Sequence, residues 1–328
     1  MNREAIRGKV KGCLLAGLIG DAMGAPVEGW HYERIEREKG YVNDFTGAGT
    51  DDSAIKLILC EALIRNGGHV TMDEFAEAFL GNARFYDLFY IPVKNMYHKL
   101  RDLSDLPIHA GINNMPSSSS AMSIAPMGII NMCDPRTAAG EAYEVAGLIH
   151  SHATSFCRDG ASAIAAAVAE AMRPDAVPES IVEAGTKYLH PRSAHVLIEK
   201  INHALDMAKR LGDYKAFRAE FYKTSLCQSI CDSRETIPLV FALLYLTRCD
   251  PVPAIESAAN FGRDADTLAT MVGAIVGAYK GEGGLKPEWI AKVLTENAEQ
   301  KKLIDDMTDI VLKRYDEKKA LIVALDQI

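Results

Sequence analysis

Two apolar stretches of this chain carry glycine where a helix ordinarily avoids it, and that restricts what can pack beside them. Ile6, Val10, Cys13, Leu14, Gly17 and Leu18 recur at helical spacing, which predicts an amphipathic helix over about residues 3–19. Gly8, Gly12 and Gly17 lie inside it and Gly20 follows its end. The second stretch, residues 268–281, carries Gly273 and Gly277 four apart. A glycine inside a helix costs roughly 1 kcal/mol relative to alanine, so several of these are kept because another backbone approaches closely. In a membrane the four-residue glycine spacing would suggest helix dimerisation, but the second stretch is too short and too acidic at its start. Close helix packing in a soluble core is the better account.

The remaining pattern is helical as well. Apolar periodicity predicts helices over 55–64, 122–130, 137–146, 161–172, 181–189, 194–211, 214–222, 235–246, 253–261, 289–293 and 303–325. Thr71 and Glu74 stand at capping-box spacing and start a further helix through Phe79. The helix from Thr137 is expected to reach His150 and His152, which at i and i+2 point apart unless a loop brings them together. Periodicity fails from Asp102 to Ser120, where Pro107, Gly111, Pro116 and four serines mark a long loop. Phe85, Tyr86, Phe89, Tyr90 and Tyr97 either line a pocket or, more commonly for such a cluster, pack in the core. With no alternating strand, repeat or linker, the reading is one all-α domain over residues 1–328.

Composition narrows the function. The chain has 328 residues and a net charge of -8, and no Lys/Arg stripe offsets that excess, which argues against a general nucleic-acid binder. No uninterrupted run of about 18 apolar residues occurs, and the first residues lack the apolar core of a secretory signal, so a cytoplasmic protein without a membrane anchor is expected. Seven cysteines, an odd number mostly inside apolar helical patterns, read as reduced core thiols. Cys227 and Cys231 are four apart, but no other Cys or His pair stands at zinc-finger spacing.

Chemistry concentrates in two short acidic clusters, each just ahead of an apolar helix. One is Thr50-Asp51-Asp52-Ser53, after the turn-forming Gly47-Ala48-Gly49, and the other is Asp264-Ala265-Asp266-Thr267, after Gly262-Arg263. Taken alone, the second is explained by an Asp N-cap with another Asp favoured by the helix dipole. Two such clusters, 212 residues apart, together supply a set of hard oxygen ligands. Four converging carboxylates would repel one another or take up protons unless cations lay between them. Hard oxygens suit Mg²⁺, Mn²⁺ or Ca²⁺ rather than zinc, and no EF-hand loop spacing is present. Glu28, after Pro26 on irregular chain, is a further carboxylate on a constrained loop, or else an ordinary solvated side chain. Ser117 to Ser120 are either donors to an anionic or sugar ligand or a plain flexible turn.

Gly20-Asp21 with Gly24 and Glu28, Thr50-Asp51-Asp52-Ser53, Ala121-Met122 with Ala125-Pro126, and Gly262-Arg263-Asp264-Ala265-Asp266-Thr267 resemble, in order, the motifs of the ADP-ribosylglycohydrolase family. The resemblance covers about residues 5–281. It implies an orthogonal all-α helical bundle with a binuclear Mg²⁺ centre, Mn²⁺ being the alternative metal, held by Thr50, Asp51, Asp52, Asp264, Asp266 and Thr267. It also implies catalytic roles for Glu28, on a mobile loop, and for Asp51 and Asp52. Substrate contacts are implied for Glu28, Ser118, Ser119, Ser120, Met122, His150, Gly262 and Arg263. Three positions depart from the family pattern: Ser53 replaces a threonine, the serine loop ends in Ser123 where an arginine is usual, and Ile149 precedes His150 in place of threonine.

The expected activity is hydrolysis of a glycosidic bond at C1 of ribose, with two metals orienting the ribose hydroxyls and a water. The expected partner is an ADP-ribosylated protein or a ribosyl small molecule. A nucleoside-like riboside is the alternative suggested by the altered serine loop. A non-catalytic member of the fold is the alternative of another class.

Overall fold

A computed structural model describes residues 2–47 and 49–328. Among these residues there are seventeen α-helices and no strand, the all-α architecture that the periodicity predicts. Buried apolar side chains from Ile6 to Val311 form one connected core.

At its centre lie the two glycine-bearing helices. Arg3–Gly24 is capped by Asn2, whose side chain accepts the Ala5 N–H. It runs five residues past its expected end and stops where Pro26 forces a 3-10 turn, Ala25–Val27. Its partner is Ala265–Lys280. The two pack antiparallel at the closest range that backbones allow. A Cβ on Gly12 would lie 2.4 Å from the Gly277 carbonyl oxygen, and one on Gly20 would lie 2.0 Å from that of Ala269. One on Gly24 would lie 2.4 Å from the Ala265 oxygen, and one on Gly273 would lie 2.2 Å from that of Ala16. No side chain fits at any of these, so the glycines permit the contact. By length and composition Arg3–Val27 is apolar enough to cross a membrane, but 83% of its apolar window is buried inside the protein.

The acidic clusters sit where the seam places them. Asp51–Arg65 begins four residues earlier than its apolar pattern, because Thr50 caps it by accepting the Asp52 N–H. Ala265–Lys280 begins with Asp264 at its N-cap position and Asp266 in its first turn. Both carboxylate pairs therefore lie at helix N-termini, where the backbone dipole favours negative charge.

Three local expectations change. The helix from Pro135 ends at Ala146, short of the histidines, so His150 lies on irregular chain and His152 opens a 3-10 turn with φ +54°. Residues Ser117–Ser120 are not an exposed turn: they are buried at the end of a loop that contains one helical turn, Pro107–Ala110. The aromatic run divides, with Phe89 and Tyr97 in the core and Tyr90 facing a cavity. All seven cysteines are free thiols, Cys133 being exposed and Cys227 half-buried. Cys227 and Cys231 lie on the loop between Tyr214–Thr224 and Ser233–Thr247, so they share no helix face.

Candidate active site

The first half of the site is assembled by Asp21, which stands in the first of the motifs but was assigned no part in the site. Asp21, fully buried in the N-terminal helix, accepts the Thr50 N–H at 3.0 Å on each oxygen and the Ser53 N–H at 3.0 Å. It also accepts the Ser53 hydroxyl. These are donors of a helix start that have no partner within their own helix. A Cβ on Gly49, which has φ +88°, would lie 2.5 Å from the Asp21 carboxylate, so only glycine lets the chain pass this close. Asp21 thus fixes the turn that presents Asp51 and Asp52. The sequence signal was available: it is a lone carboxylate within the apolar run from Leu14 to Met23.

The second half approaches from the partner helix. Thr267 and Thr50 each donate a hydroxyl to Asp52 Oδ2 at 3.3 Å, which joins the two clusters directly. Ser118 donates to Asp264 Oδ2 at 3.1 Å. Carboxylate oxygens of Glu28, Asp264 and Asp266 lie within 4.8 Å of one another. Glu28 is held there by its neighbours. Gly29 N–H donates to the Arg263 carbonyl at 2.7 Å, and Arg263 N–H donates to that of Trp30 at 2.9 Å. Gly262 and Arg263 both adopt left-handed backbone, φ +78° and +58°, to make this exchange. Below it, Val27, Ile35 and Ala265 form a small buried cluster.

Between the halves lies a cavity of about 80 Å³. Glu28, Asp51, Asp52, Asp264, Asp266 and Thr267 form its acidic side. Burial raises every one of these carboxyl groups: Asp51 to about 6, Asp264 to about 8, and Asp52 and Asp266 well above the usual range. Mutual repulsion adds to this, chiefly from Asp266 on Asp52 and from Glu28 on Asp264. Partial burial raises Glu28, with Asp21 as the next cause. Asp52 Oδ1 and Asp266 Oδ1 are buried and have no hydrogen-bond partner among the described residues. Two orphaned carboxylate oxygens in a set made only of hard oxygen donors fit a divalent cation such as Mg²⁺ or Mn²⁺. One turn beyond Asp52, the buried Lys56 ammonium lies over Gly17, also without a hydrogen-bond partner among the described residues. Burial lowers its pKa, and Asp21 is the strongest opposing influence.

Of the residues expected at a substrate, Glu28, Ser118, Ser119 and Met122 line this cavity. Ser120, His150, Gly262 and Arg263 stand behind it. His150 is fully buried between the Ser117 hydroxyl at 3.1 Å and that of Ser120 at 2.9 Å, and burial lowers its pKa to about 4, so the ring is neutral. Ser118 also donates to the Cys231 carbonyl at 3.1 Å, so most of the serine hydroxyls are engaged inside the protein. Arg263 makes a two-pronged ion pair with the fully buried Glu235, both distances 2.8 Å, and donates to the Cys227 carbonyl at 2.7 Å. It therefore ties the Glu28 loop to the 225–232 loop. That second loop brings Ile230 and Cys231 to the cavity, and Tyr90 joins them from the opposite side. The aromatic run offered Tyr90 as a pocket residue, whereas no spacing in the sequence marks Ile230 and Cys231, because only the folded chain brings these segments together.

Fold and site together define a helical protein built around a buried cradle of hard oxygens. The ADP-ribosylglycohydrolase family model matches residues 2–320, and the chain belongs to that family. Its relatives include the uncharacterised protein YegU of Escherichia coli, 25% identical over 85% of this chain and 90% of that protein. ADP-ribosylhydrolase ARH3 of Gallus gallus is 26% identical over 86% of this chain and 88% of its own. ADP-ribosylarginine hydrolase Tri1 of Pseudomonas putida is 25% identical over 87% of this chain and 74% of its own. A solved structure titled ADP-ribosylglycohydrolase-related protein complex superposes with a TM-score of 0.68, 20% identity, and coverage of 95% of this chain and 99% of that one, which establishes the fold. The chain is accordingly a hydrolase of the glycohydrolase class.

Proposed function

We propose that this protein is a Mg²⁺-dependent hydrolase of a glycosidic bond at C1 of ribose, two ions serving the site and Mn²⁺ able to replace Mg²⁺. The observation that carries this reading is the convergence of the Glu28, Asp264 and Asp266 oxygens beside the orphaned Asp52 Oδ1 and Asp266 Oδ1. Thr50, Asp51, Asp52, Asp264, Asp266 and Thr267 would hold the ions. When bound, the ions supply charge that orients the ribose hydroxyls and makes water more acidic. The chain's own part is then proton transfer and positioning. Glu28, Asp51 or Asp52 accepts the proton of the attacking water, and Glu28 combines a raised pKa with access to solvent. The water oxygen bonds to C1, the C1–N or C1–O bond breaks, and its electron pair leaves with the aglycone, which takes up a proton. Asp21 holds the Thr50–Ser53 turn against this movement of charge.

ADP-ribosylated protein or an ADP-ribose derivative is the first substrate class, by analogy with the named activities of the relatives. A smaller riboside is the second reading, favoured by the engagement of the Ser117, Ser118 and Ser120 hydroxyls with His150, Cys231 and Asp264. Release of ribose and of ADP-ribose from a panel of substrates separates the two. Asp52→Asn and Asp264→Asn are expected to lower turnover by at least a hundredfold and to weaken Mn²⁺ binding measured by calorimetry, with an unchanged helical circular-dichroism spectrum. Full turnover in both variants would end the metal-centred proposal.

A further inference from the structure

One charged group stands beside the site without touching it. Lys56 is 4% exposed, and its ammonium is buried without a hydrogen-bond partner among the described residues. It does not line the cavity, so it is neither a ligand nor a base. An unpaired charge away from water is costly to bury, and an ammonium that makes no hydrogen bond has only its charge to contribute.

Two helices fix where that charge lies. Asp52 and Lys56 share a face of Asp51–Arg65 one turn apart, as Gly17 and Asp21 do on Arg3–Gly24. Asp21 accepts the Thr50 and Ser53 N–H groups, each at 3.0 Å, and a Cβ on Gly17 would lie 3.2 Å from the Lys56 ammonium. The helices therefore run antiparallel here, and the ammonium lies one turn further from the cavity than the Asp21–Ser53 contact. It fills the space that a side chain at residue 17 would need. The Gly17 carbonyl offers it no free acceptor, because that oxygen lies within a helix and also accepts the Thr270 hydroxyl at 3.3 Å. The charges around it are one-sided. Asp21 is the strongest of those acting on Lys56 and Asp52 acts as well, while Lys56 is the cation that acts on Asp21. Glu28, Asp51, Asp52, Asp264 and Asp266 line the cavity beyond them, and the nearby Arg263 is paired with Glu235. Opposite charges in this number favour the ammonium over the neutral amine.

We infer that Lys56 is a positioning residue of the cradle, a fixed internal cation behind Asp21 and Asp52 that lowers the affinity of the site for divalent ions. The inference rests on the metal-centred reading and deepens it. Part of the field of Asp21 and Asp52 is answered from behind by the ammonium, so less of it acts on a cation placed in front. A unit charge about two helical turns from a divalent ion changes the affinity for that ion by roughly tenfold or more at the effective dielectric of a protein site. The pairing of a glycine at 17 with a lysine at 56 is therefore an electrostatic device as well as a packing one.

The test is calorimetric titration of the chelator-treated protein with Mn²⁺, and separately with La³⁺. Lys56→Met keeps most of the side chain's length and removes its charge, and is expected to bind Mn²⁺ about tenfold more tightly than wild type or better, with unchanged stoichiometry. Lys56→Gln, neutral but polar, should do the same. The gain should be larger for La³⁺, because Coulomb energy scales with the charge of the ion, whereas a change of shape alone carries no such scaling. Unchanged or weaker Mn²⁺ binding in both variants, with helical circular-dichroism spectra like that of wild type, overturns the role given to Lys56. A gain no larger for La³⁺ than for Mn²⁺ overturns it too, as does failure of both neutral variants to fold. Each of these results leaves the metal-centred reading standing. Absence of Mn²⁺ binding by the wild-type protein would overturn that reading, and the inference with it.

Discussion

Asp21→Asn tests whether the site is built from the N-terminal helix. In the native protein one buried carboxylate serves the Thr50 N–H, the Ser53 N–H and the Ser53 hydroxyl. The isosteric amide keeps one acceptor oxygen, which Thr50 can use, and turns an NH₂ group towards the Ser53 N–H. A buried donor left unsatisfied costs about 1–3 kcal/mol, and hydrogen bonds to a charged group are each worth about 1.5–3 kcal/mol. Removing the Asp21 charge also relieves repulsion on Asp52, on which Asp21 acts after Asp266, so part of this loss is offset. The net expectation is about 2–4 kcal/mol of destabilisation, with the hydrogen-bond loss prevailing because the helix offers these donors no other partner. For a chain larger than 250 residues that is a fall in Tm of roughly 4–8 °C, at about 2 °C per kcal/mol. Mn²⁺ affinity should fall as well, because the turn carrying Asp51 and Asp52 loses its anchor. Thermal melts with and without Mn²⁺, paired with calorimetry, decide the matter. A variant melting within 2 °C of wild type and binding Mn²⁺ equally well would refute the positioning role.

The metal-free protein should lose stability as pH rises. Asp51 and Asp264 have folded pKa values of about 6 and about 8, above the unfolded value of 3.8. Their contribution is therefore full below about pH 4 and is lost progressively up to about pH 8. Melts across that range should show the slope, and saturating Mg²⁺ should flatten it. Gly8→Ala meets no atom within 4 Å and should stabilise by about 1 kcal/mol, whereas Gly20→Ala sets a Cβ 2.0 Å from the Ala269 oxygen and should prevent soluble expression. Arg263→Ala strands the buried Glu235 carboxylate and should cost about 3–5 kcal/mol, measured by urea unfolding, with Glu235→Gln in the same background recovering much of it.

The helices were legible because their apolar faces repeat at 3.6 residues, and both acidic clusters were legible because charge beside a buried run has few explanations. What the sequence hid depends on long-range contact. Asp21 could be seen as anomalous, but its partner turn lies 29 residues away. The serines were expected to serve a ligand or to flex, and local composition favours either; their burial follows from the packing of His150 and Cys231 against them. Tyr90 differs from Phe89 only by one position, so its opposite direction is set by how the helix Ile91–Asp102 begins. Arg263 was expected to touch the substrate, and only the fold supplies Glu235 beneath it.

The glycine seam has a consequence for how the protein tolerates change. Divalent cations accept oxygen ligands over only a few tenths of an ångström, while one residue of helix slip shifts a side chain by about 1.5 Å. The seam is thus a ruler: Gly24 against Ala265 sets the height of Asp21 relative to Asp266. Gly12 and Gly277, roughly 13 Å along the axis from Asp21, belong to the same ruler. Small distortions at that far end would be felt first as lost cation affinity and only later as unfolding. A descendant of this chain that abandoned catalysis would be free to shed its carboxylates, but it would have to keep its glycines.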